Sequence, residues 1–327
     1  MHRRTTRLSL LSLLTGERST APALALEREW QGQLENLVTR SRRLVAAADT
    51  LRHRPSPESV RECQLAWEAA RLPWERVEGF LVGELREEEW AERIDGWPIL
   101  PEEVEAQSRD YRAQRKDGGT VQADPWPGPR GFHVLELLLY SVDGHQPALP
   151  DRIATALTAD PDRPAFLGAV ARELREDCEA LRRVGLPHER EEAESSRLPG
   201  LLLERWTELL EEACFSKVLL PVQRGDPGLL ESRWSGSTHR DVEANLEGMA
   251  RAGRLLVPTV VRPEEGHLVE RWEAGMERCL RIARSLPEFP GTDLASALPT
   301  AESLFAAGHC LMELITADLL PRARAAA

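Results

Sequence analysis

The sequence lacks most of the features that mark common enzyme and scaffold classes. Its five cysteines are isolated, with no CxxC pair, so we expect buried free thiols rather than a disulfide framework or a cysteine-based metal site. The chain contains no HExxH helix, no GxSxG elbow and no P-loop. The familiar signatures of zinc peptidases, serine hydrolases and nucleotide-binding proteins are therefore absent.

Positive charge is also in deficit. The 327 residues carry 42 Lys and Arg against 54 Asp and Glu, a net charge of −12. The arginines are scattered among glutamates and form no basic stripe, which argues against a nucleic-acid partner. An apolar content of 42% is ordinary for a soluble globular protein, and the length suits one large or two ordinary domains.

Long hydrophobic runs are missing as well, so no transmembrane span is expected. The amino end has a basic start and a short apolar run at residues 8–14, close to Glu17 and Arg18. Seven apolar residues are the lower limit for a signal-peptide core. We interpret residues 1–23 as a weak signal-like or disordered segment, and export and a cytoplasmic location both stay open.

What the sequence does contain is helical periodicity, with little of the alternation typical of strands. The stretch from about residue 186 to 200 combines prolines, serines and an acidic run, which favours a boundary there. We predict an all-α fold of two antiparallel, four-helix-like bundles packed together. The N-terminal bundle spans residues 24–190 and the C-terminal bundle spans residues 196–327.

One predicted helix, at residues 131–140, is apolar apart from His133 and Glu136. These two residues are three positions apart and share a helix face, and the helix should be buried on all sides. Burying two ionisable groups is costly unless they pair with each other, bind something or act on something. Helical bundles use such pairs as metal ligands, with a third ligand from elsewhere. The alternative is a structural hydrogen bond between the two side chains.

Residues 131–136 fit a GxHxxE motif, and other segments accompany it in order. These are residues 67–80, 94–98, 217–221 and 231–238, the last continued by Asp241, Asn245 and Leu246. Together they resemble the imelysin-like family, also called the insulin-cleaving membrane protease or iron-regulated envelope protein family. The resemblance covers most of residues 60–260.

This resemblance implies two helical domains related by duplication, with a site in the cleft between them and His133 and Glu136 on one wall. It implies export and a role in handling iron or another metal. Candidate metal ligands are His133, Glu136, Glu231, Asp143 and Asp151, with Glu231 preferred for the second domain. Other residues expected beside the site are Arg71, Glu78, Trp74, Trp97 and Gly131, where Arg71 and Glu78 pair with each other or with Glu136 and orient it.

Three functions follow as hypotheses. The first is an envelope protein that binds a divalent or iron cation and acts by binding rather than turnover. The second is a metal-dependent peptidase in which His133 and Glu136 are catalytic. The third is a non-catalytic module that binds a peptide or an envelope protein, with a purely structural His–Glu pair.

Overall fold

A computed structural model describes residues 20–87, 89–116, 128–184, 186, 192–289 and 293–326. Within these ranges all regular structure is helical, apart from one isolated bridge between Ser141 and Pro147. The all-α prediction is confirmed, whereas the division into two bundles stays a prediction. Most of the signal-like segment, residues 1–19, and part of the boundary stretch, residues 187–191, lie outside the described residues.

Fourteen α-helices follow one another along the described chain. The first eight are α1 (Thr20–His53), α2 (Pro57–Val77), α3 (Glu84–Glu87), α4 (Trp90–Asp95), α5 (Pro101–Lys116), α6 (Phe132–Tyr140), α7 (Pro150–Ala159) and α8 (Asp162–Leu181). The remaining six are α9 (Glu192–Glu211), α10 (Leu220–Arg224), α11 (Thr238–Val260), α12 (His267–Ala283), α13 (Leu294–Glu313) and α14 (Leu320–Ala326).

Helix α2 joins the two halves of the chain, because it packs against both α1 and α11. Its start is fixed by a capping box between Ser56 and Ser59, with a proline in the first turn. Close approach of α11 depends on Gly248, where a Cβ atom would lie 2.2 Å from the carbonyl oxygen of Arg76. The polar residues of α2 that face α11 are therefore buried between the halves.

Helix α6 is buried along almost its whole length, as its composition predicts; all its residues except Tyr140 are buried. It packs against α2 and α8. Gly131 precedes it with φ of 79°, and a Cβ atom there would lie 2.1 Å from the carbonyl oxygen of Ile94. Only glycine fits this position, which brings α6 close to the end of α4.

In the second half, α9 runs into the π-helical segment Glu212–Leu219 and then into α10. The chain turns at Gly225, which has a left-handed conformation. Single π-helical turns inside α-helices are frequent at functional sites. Here the π-helical segment carries Lys217, which is completely buried.

The segment Leu294–Ala325 is long and apolar enough to cross a membrane by length and composition alone. The sequence-based expectation that no segment reaches this length was therefore wrong. In the fold, however, α13 packs against α9 and α12, and Leu304, Leu311 and Ile315 are buried. The helix thus uses its apolar face in the protein core, as core helices of this composition do.

All five cysteines are free, as expected. Four are buried, but the prediction fails for Cys310, which is exposed. This residue lies on the outward face of α13, one position before the buried Leu311. Its apolar sequence neighbours are what made it resemble a core residue.

Candidate metal centre

Around the contact between α2 and α11 lies a group of buried charged and polar side chains, which we call the central cluster. All its members are at most 8% exposed. They are Arg71 and Glu75 on α2, Glu78 directly after α2, Asp95 at the end of α4, His133 and Glu136 on α6, Lys217 on the π-helical segment, Glu231 in the loop before α11, and Asp241 and Asn245 on α11.

Arg71 binds four carboxylates of the cluster. Its Nη2 atom lies 2.8 Å from Oε1 of Glu75 and 3.0 Å from Oε1 of Glu231. Its Nε atom lies 3.2 Å from Oδ1 of Asp241, and its Nη1 atom contacts Asp95. Burial would lower the pKa of Arg71, but these carboxylates outweigh it and raise the pKa well above its ordinary value. Arg71 is therefore a permanent internal cation.

Lys217 is the second internal cation. Its Nζ atom lies 2.9 Å from Oε1 of Glu231 and 3.2 Å from Oε2 of Glu75. It also donates to Oδ1 of Asn245, at 3.1 Å, and to Oε2 of Glu78, at 3.4 Å. Burial opposes its charge, yet the carboxylates raise the pKa of Lys217 well above its usual value.

The expected pairing of Arg71 with Glu78 or Glu136 does not form. Glu78 lies just beyond α2, where Lys217 and the amide of Asn245 hold it; the Nδ2 atom of Asn245 donates to Oε2 of Glu78 at 2.7 Å. Burial raises the pKa of Glu78, but Lys217, Arg205 and the Asn245 hydrogen bond outweigh it and lower the pKa. Arg71 and Glu78 are seven positions apart, about two helical turns, so the two side chains contact different partners.

Glu136 orients His133 and is itself fully hydrogen-bonded. Its Oε1 atom accepts from the backbone N–H of Trp234 at 3.0 Å, and from the backbone N–H and the hydroxyl of Ser235, both at 2.8 Å. Its Oε2 atom lies 3.2 Å from Nδ1 of His133. An ionised carboxylate can only accept, so Nδ1 of His133 carries a proton in this contact, and Nε2 is the ring atom that faces the other carboxylates. Both oxygens of Glu136 have partners in this arrangement, and the carboxylate fixes the orientation of the imidazole.

The Nε2 atom of His133 faces two further carboxylates. It lies 3.2 Å from Oδ1 of Asp95 and 4.0 Å from Oε1 of Glu231. Donor atoms of these three residues lie within 4.8 Å of one another. Oε2 of Glu231 is buried without a hydrogen-bond partner, and the contact of Nε2 of His133 with Asp95 is not aligned as a hydrogen bond. A lone pair held against carboxylates is unfavourable unless a proton or another cation lies between them.

Two sequence-predicted ligands lie elsewhere. Asp143 is exposed, and its Oδ1 atom accepts backbone N–H groups of His145 and Gln146, at 2.9 and 3.2 Å. It closes the turn after α6, as short acidic residues often do. Asp151 is exposed in the first turn of α7. Neither residue belongs to the central cluster, so neither is included among the ligands proposed below.

The remaining predicted neighbours lie beside the cluster. The indole Nε1 of Trp74 donates to Oδ2 of Asp95 at 2.8 Å, which fixes that carboxylate. Trp97 is half-buried and lines a cavity of about 250 Å³ whose wall also includes Glu78, Asp95 and Glu231. Gly131 contributes only its backbone. The cavity gives a small solute a route from the surface to the carboxylates of the cluster.

The cluster carries excess negative charge. Six buried carboxylates, Glu75, Glu78, Asp95, Glu136, Glu231 and Asp241, face two permanent cations, Arg71 and Lys217. Burial raises the pKa of Glu231 to about 7, although Lys217 and Arg71 act in the opposite direction. The pKa of Glu75 is raised well above its ordinary value for the same reason. A further cation in the cluster would relieve this repulsion.

Sequence reasoning did not select Glu75, Asp95, Lys217, Asp241 or Asn245 as site residues. Two signals were available. Asp95, Lys217, Asp241 and Asn245 all lie in the segments that carry the family resemblance. Lys217 is the only charged residue in the apolar stretch from 213 to 220, which is the same pattern that singled out His133 and Glu136. Glu75 and Asp241 lie among other charged residues and look like ordinary surface positions.

The Imelysin family model matches residues 31–307. The chain belongs to the imelysin family, as its motifs indicated. Two solved structures share the fold. An iron-regulated protein A precursor from Parabacteroides distasonis is 17% identical, with a TM-score of 0.64 over 90% of this chain and 95% of its own. An imelysin-like protein from Psychrobacter arcticum is 15% identical, with a TM-score of 0.65 over 94% of this chain and 95% of its own. No functionally curated protein matches the sequence.

Proposed function

We propose that this protein binds a divalent or iron cation through His133, Asp95 and Glu231, and that it acts in metal handling in the cell envelope. One observation carries the proposal. Donor atoms of these three buried residues lie within 4.8 Å of one another, and Oε2 of Glu231 is buried without a hydrogen-bond partner. A buried acceptor without a donor, close to two further acceptor groups, is costly unless a cation or another ligand joins them.

The donor set fits this proposal. One imidazole and two carboxylates suit a borderline or hard cation such as Fe²⁺, Mn²⁺ or Zn²⁺. The cluster supplies more negative than positive charge, which favours a cation of charge two or more. The cavity beside Asp95 and Glu231 offers space for water or another small ligand to complete the coordination. Glu136 would hold the imidazole in the tautomer that can bind a metal.

The relatives support the biological part of the proposal. One solved relative is described as iron-regulated and as a precursor, and the other as imelysin-like. Applied to this chain, those words favour an iron-related role and a location in the cell envelope. Sequencing the N-terminus of the mature protein tests the location, because a processed end after the first residues supports export and an intact end at Met1 contradicts it.

A peptidase remains the second candidate, because a cavity opens beside the proposed ligands. Metal-dependent hydrolysis needs an open coordination position and a separate general base. Besides the proposed ligands, the carboxylates that line the cavity are Glu78, Glu92 and Glu212. Lys217 and Asn245 hold Glu78, and its lowered pKa makes it a weak base. Burial raises the pKa of Glu212, so a peptidase would use Glu212 as its base. Binding without turnover needs no general base and is therefore the simpler explanation of the arrangement.

The first experiment compares cation binding by the wild type with binding by His133→Ala and Glu231→Gln. Elemental analysis of the purified protein comes first, followed by titration of chelator-treated protein with Fe²⁺, Mn²⁺ and Zn²⁺. Matched controls are His309→Ala and Glu313→Gln, which change the same residue types at exposed positions.

We expect one cation per chain in the wild type and both controls, and a loss of at least about a hundredfold in affinity in both site variants. Absence of binding by folded wild type would overturn the proposal, and so would equal binding by the site variants. Chelator-sensitive cleavage of a peptide mixture, lost in the same variants, would favour the peptidase.

A further inference from the structure

Lys217 occupies an unusual place for a lysine. It is completely buried on the π-helical segment Glu212–Leu219, within the continuous helical run from α9 to α10. Its ammonium points into a group of carboxylates from other parts of the fold rather than toward solvent. Lysine side chains are rarely fully buried unless they are paired. The contacts of this ammonium must therefore replace the water that it loses on burial.

The closest contact of Lys217 is to a proposed metal ligand. Its Nζ atom lies 2.9 Å from Oε1 of Glu231, closer than to Glu75 or Glu78. The same oxygen lies 3.0 Å from Nη2 of Arg71 and 4.0 Å from Nε2 of His133. One carboxylate is therefore shared between an internal ammonium, a guanidinium and the proposed cation position.

Lys217 keeps partners when Glu231 turns toward a cation. Its ammonium retains Glu75, Glu78 and the side-chain oxygen of Asn245 as acceptors. Arg71 likewise retains Asp241 and Glu75. Release of Glu231 thus leaves both Arg71 and Lys217 paired with other carboxylates.

We propose that Lys217 is an affinity-determining residue of the cation site, because its ammonium competes with the bound ion for the Glu231 carboxylate. This inference rests on the proposed function. Two like charges close together in a poorly solvated cluster repel strongly. Lys217 therefore sets an upper limit on affinity and keeps binding reversible, as a protein that takes up and passes on a cation requires.

The alternative is that Lys217 acts only as a structural counter-charge. In that case removal of the ammonium would let the carboxylates repel one another and move apart, and cation binding would weaken or stay unchanged. Competition makes the opposite prediction, because removal of the ammonium frees Glu231 and increases the net negative charge. The sign of the change in affinity therefore separates the two roles.

The test measures cation affinity of Lys217→Met by titration at about pH 8. Methionine keeps much of the length of the lysine side chain without its charge. Lys217→Gln serves as a second variant, since its amide can still hydrogen-bond to the cluster. The control is Arg76→Met, which removes a positive charge from a partly buried arginine of α2 whose ion-pair partner, Glu247, lies outside the central cluster. Thermal unfolding of every chelated protein, with and without Mn²⁺, provides a second readout.

We expect Lys217→Met and Lys217→Gln to bind the cation about tenfold more tightly or better, and Arg76→Met to differ from wild type by less than about threefold. The chelated Lys217 variants should melt lower than wild type and regain their midpoint when Mn²⁺ is added. Unchanged or weaker binding by a folded Lys217 variant overturns the inference, and so does an equal gain in Arg76→Met.

These results also separate the inference from the proposed function. If the wild type binds no cation and Lys217→Met binds one, competition by Lys217 stands, and metal binding by the native protein falls. If neither binds, both fall. If both bind equally, the site stands, and the role of Lys217 falls.

Discussion

The imidazole of His133 and the carboxylate of Glu136 form a hydrogen bond in which Nδ1 lies 3.2 Å from Oε2. The other oxygen of Glu136 accepts hydrogen bonds from Trp234 and Ser235, on a loop that also carries Glu231. The HxxE motif therefore connects two proposed ligands from opposite halves of the chain. It works as a linked unit rather than as a pair of adjacent ligands.

Replacement of Glu136 should test this connection. In Glu136→Gln one carboxylate oxygen becomes an NH₂ group. This NH₂ group would face either His133 or the N–H groups of Trp234 and Ser235, and in both orientations two donors would meet, so that one buried donor is left without an acceptor. We expect a loss of about 1–3 kcal/mol in the free energy of unfolding and a loss of about 10- to 100-fold in cation affinity. Denaturant unfolding measures the change in the free energy of unfolding, and titration with the cation measures the change in affinity. Ser235→Ala removes one of the three donors and should cost only about 1 kcal/mol; a larger loss in this control than in Glu136→Gln would contradict the assignment.

Removal of Arg71 should destabilise the protein strongly. The change Arg71→Met leaves four buried carboxylates without their shared cation, which costs about 3–5 kcal/mol when one partner of a buried pair is lost. The matched control is Arg76→Met on the same helix. Arg76 pairs with Glu247 near the surface, so its loss should cost about 1 kcal/mol or less. Urea unfolding distinguishes the two, and equal costs would show that the cluster is not a stability determinant.

Gly131 should resist substitution because of backbone geometry. Its φ of 79° penalises alanine, and so does the Ile94 carbonyl oxygen, which would lie 2.1 Å from the added Cβ atom. Gly131→Ala should lower the melting temperature and destabilise by about 1–3 kcal/mol or more. Gly32→Ala is the control, since that glycine lies within α1 with open space around it and should stabilise by about 0.5–1 kcal/mol. A tolerated alanine at position 131 would mean that α4 and α6 approach less closely.

Cation affinity should increase with pH. Burial raises the pKa of Glu231 to about 7, so a cation must displace a proton from this carboxyl below neutrality. Between about pH 5.5 and about pH 7.5 the ionised fraction of such a group rises more than tenfold, and titration should show a comparable gain in affinity. Because the folded pKa lies above the ordinary value, the same group stabilises the cation-free fold below about pH 4.5, and this contribution is lost as the pH rises through about 7. Affinity that is constant over this range would show that Glu231 is already ionised.

Cysteine reactivity should report burial directly. Burial raises the pKa of Cys63 and of Cys279 to about 12, and it also raises the pKa of Cys178 and of Cys214. A thiol reagent added to native protein near pH 8 should modify only Cys310, and all five thiols should react after denaturation. Cys310→Ser should abolish the native reaction. Rapid labelling of a second thiol in that variant would show that the core opens locally.

The sequence allowed the fold class to be predicted because most helices are amphipathic and end at recognisable residues. The helix that follows Ser56 and Pro57 and the one that follows Gly131 begin where those residues indicate. The π-helical segment around Lys217 was not predicted, since its residues have the same propensities as those of an ordinary helix. Periodicity also could not show that α13, apolar enough for a membrane, packs within the core.

The candidate site was only partly predictable, for a physical reason. His133 and Glu136 stand out because their own helix is apolar, so their burial can be inferred locally. Glu75 and Asp241 are buried only because α2 and α11 meet, across more than a hundred residues of sequence. Neither helix alone indicates which of its charged residues face inward. Asp143 was chosen for its closeness in sequence to the motif, and the turn after α6 directs it to solvent.

The proposed ligands of the central cluster lie far apart in the sequence. They come from α4, α6 and the loop before α11, so no single segment of the nascent chain contains them all. Coordination by all three proposed ligands would therefore follow the packing of α11 against the first half of the chain. A cation that binds only this finished fold would stabilise it by mass action, so the apparent stability of the protein would rise with the supply of that cation.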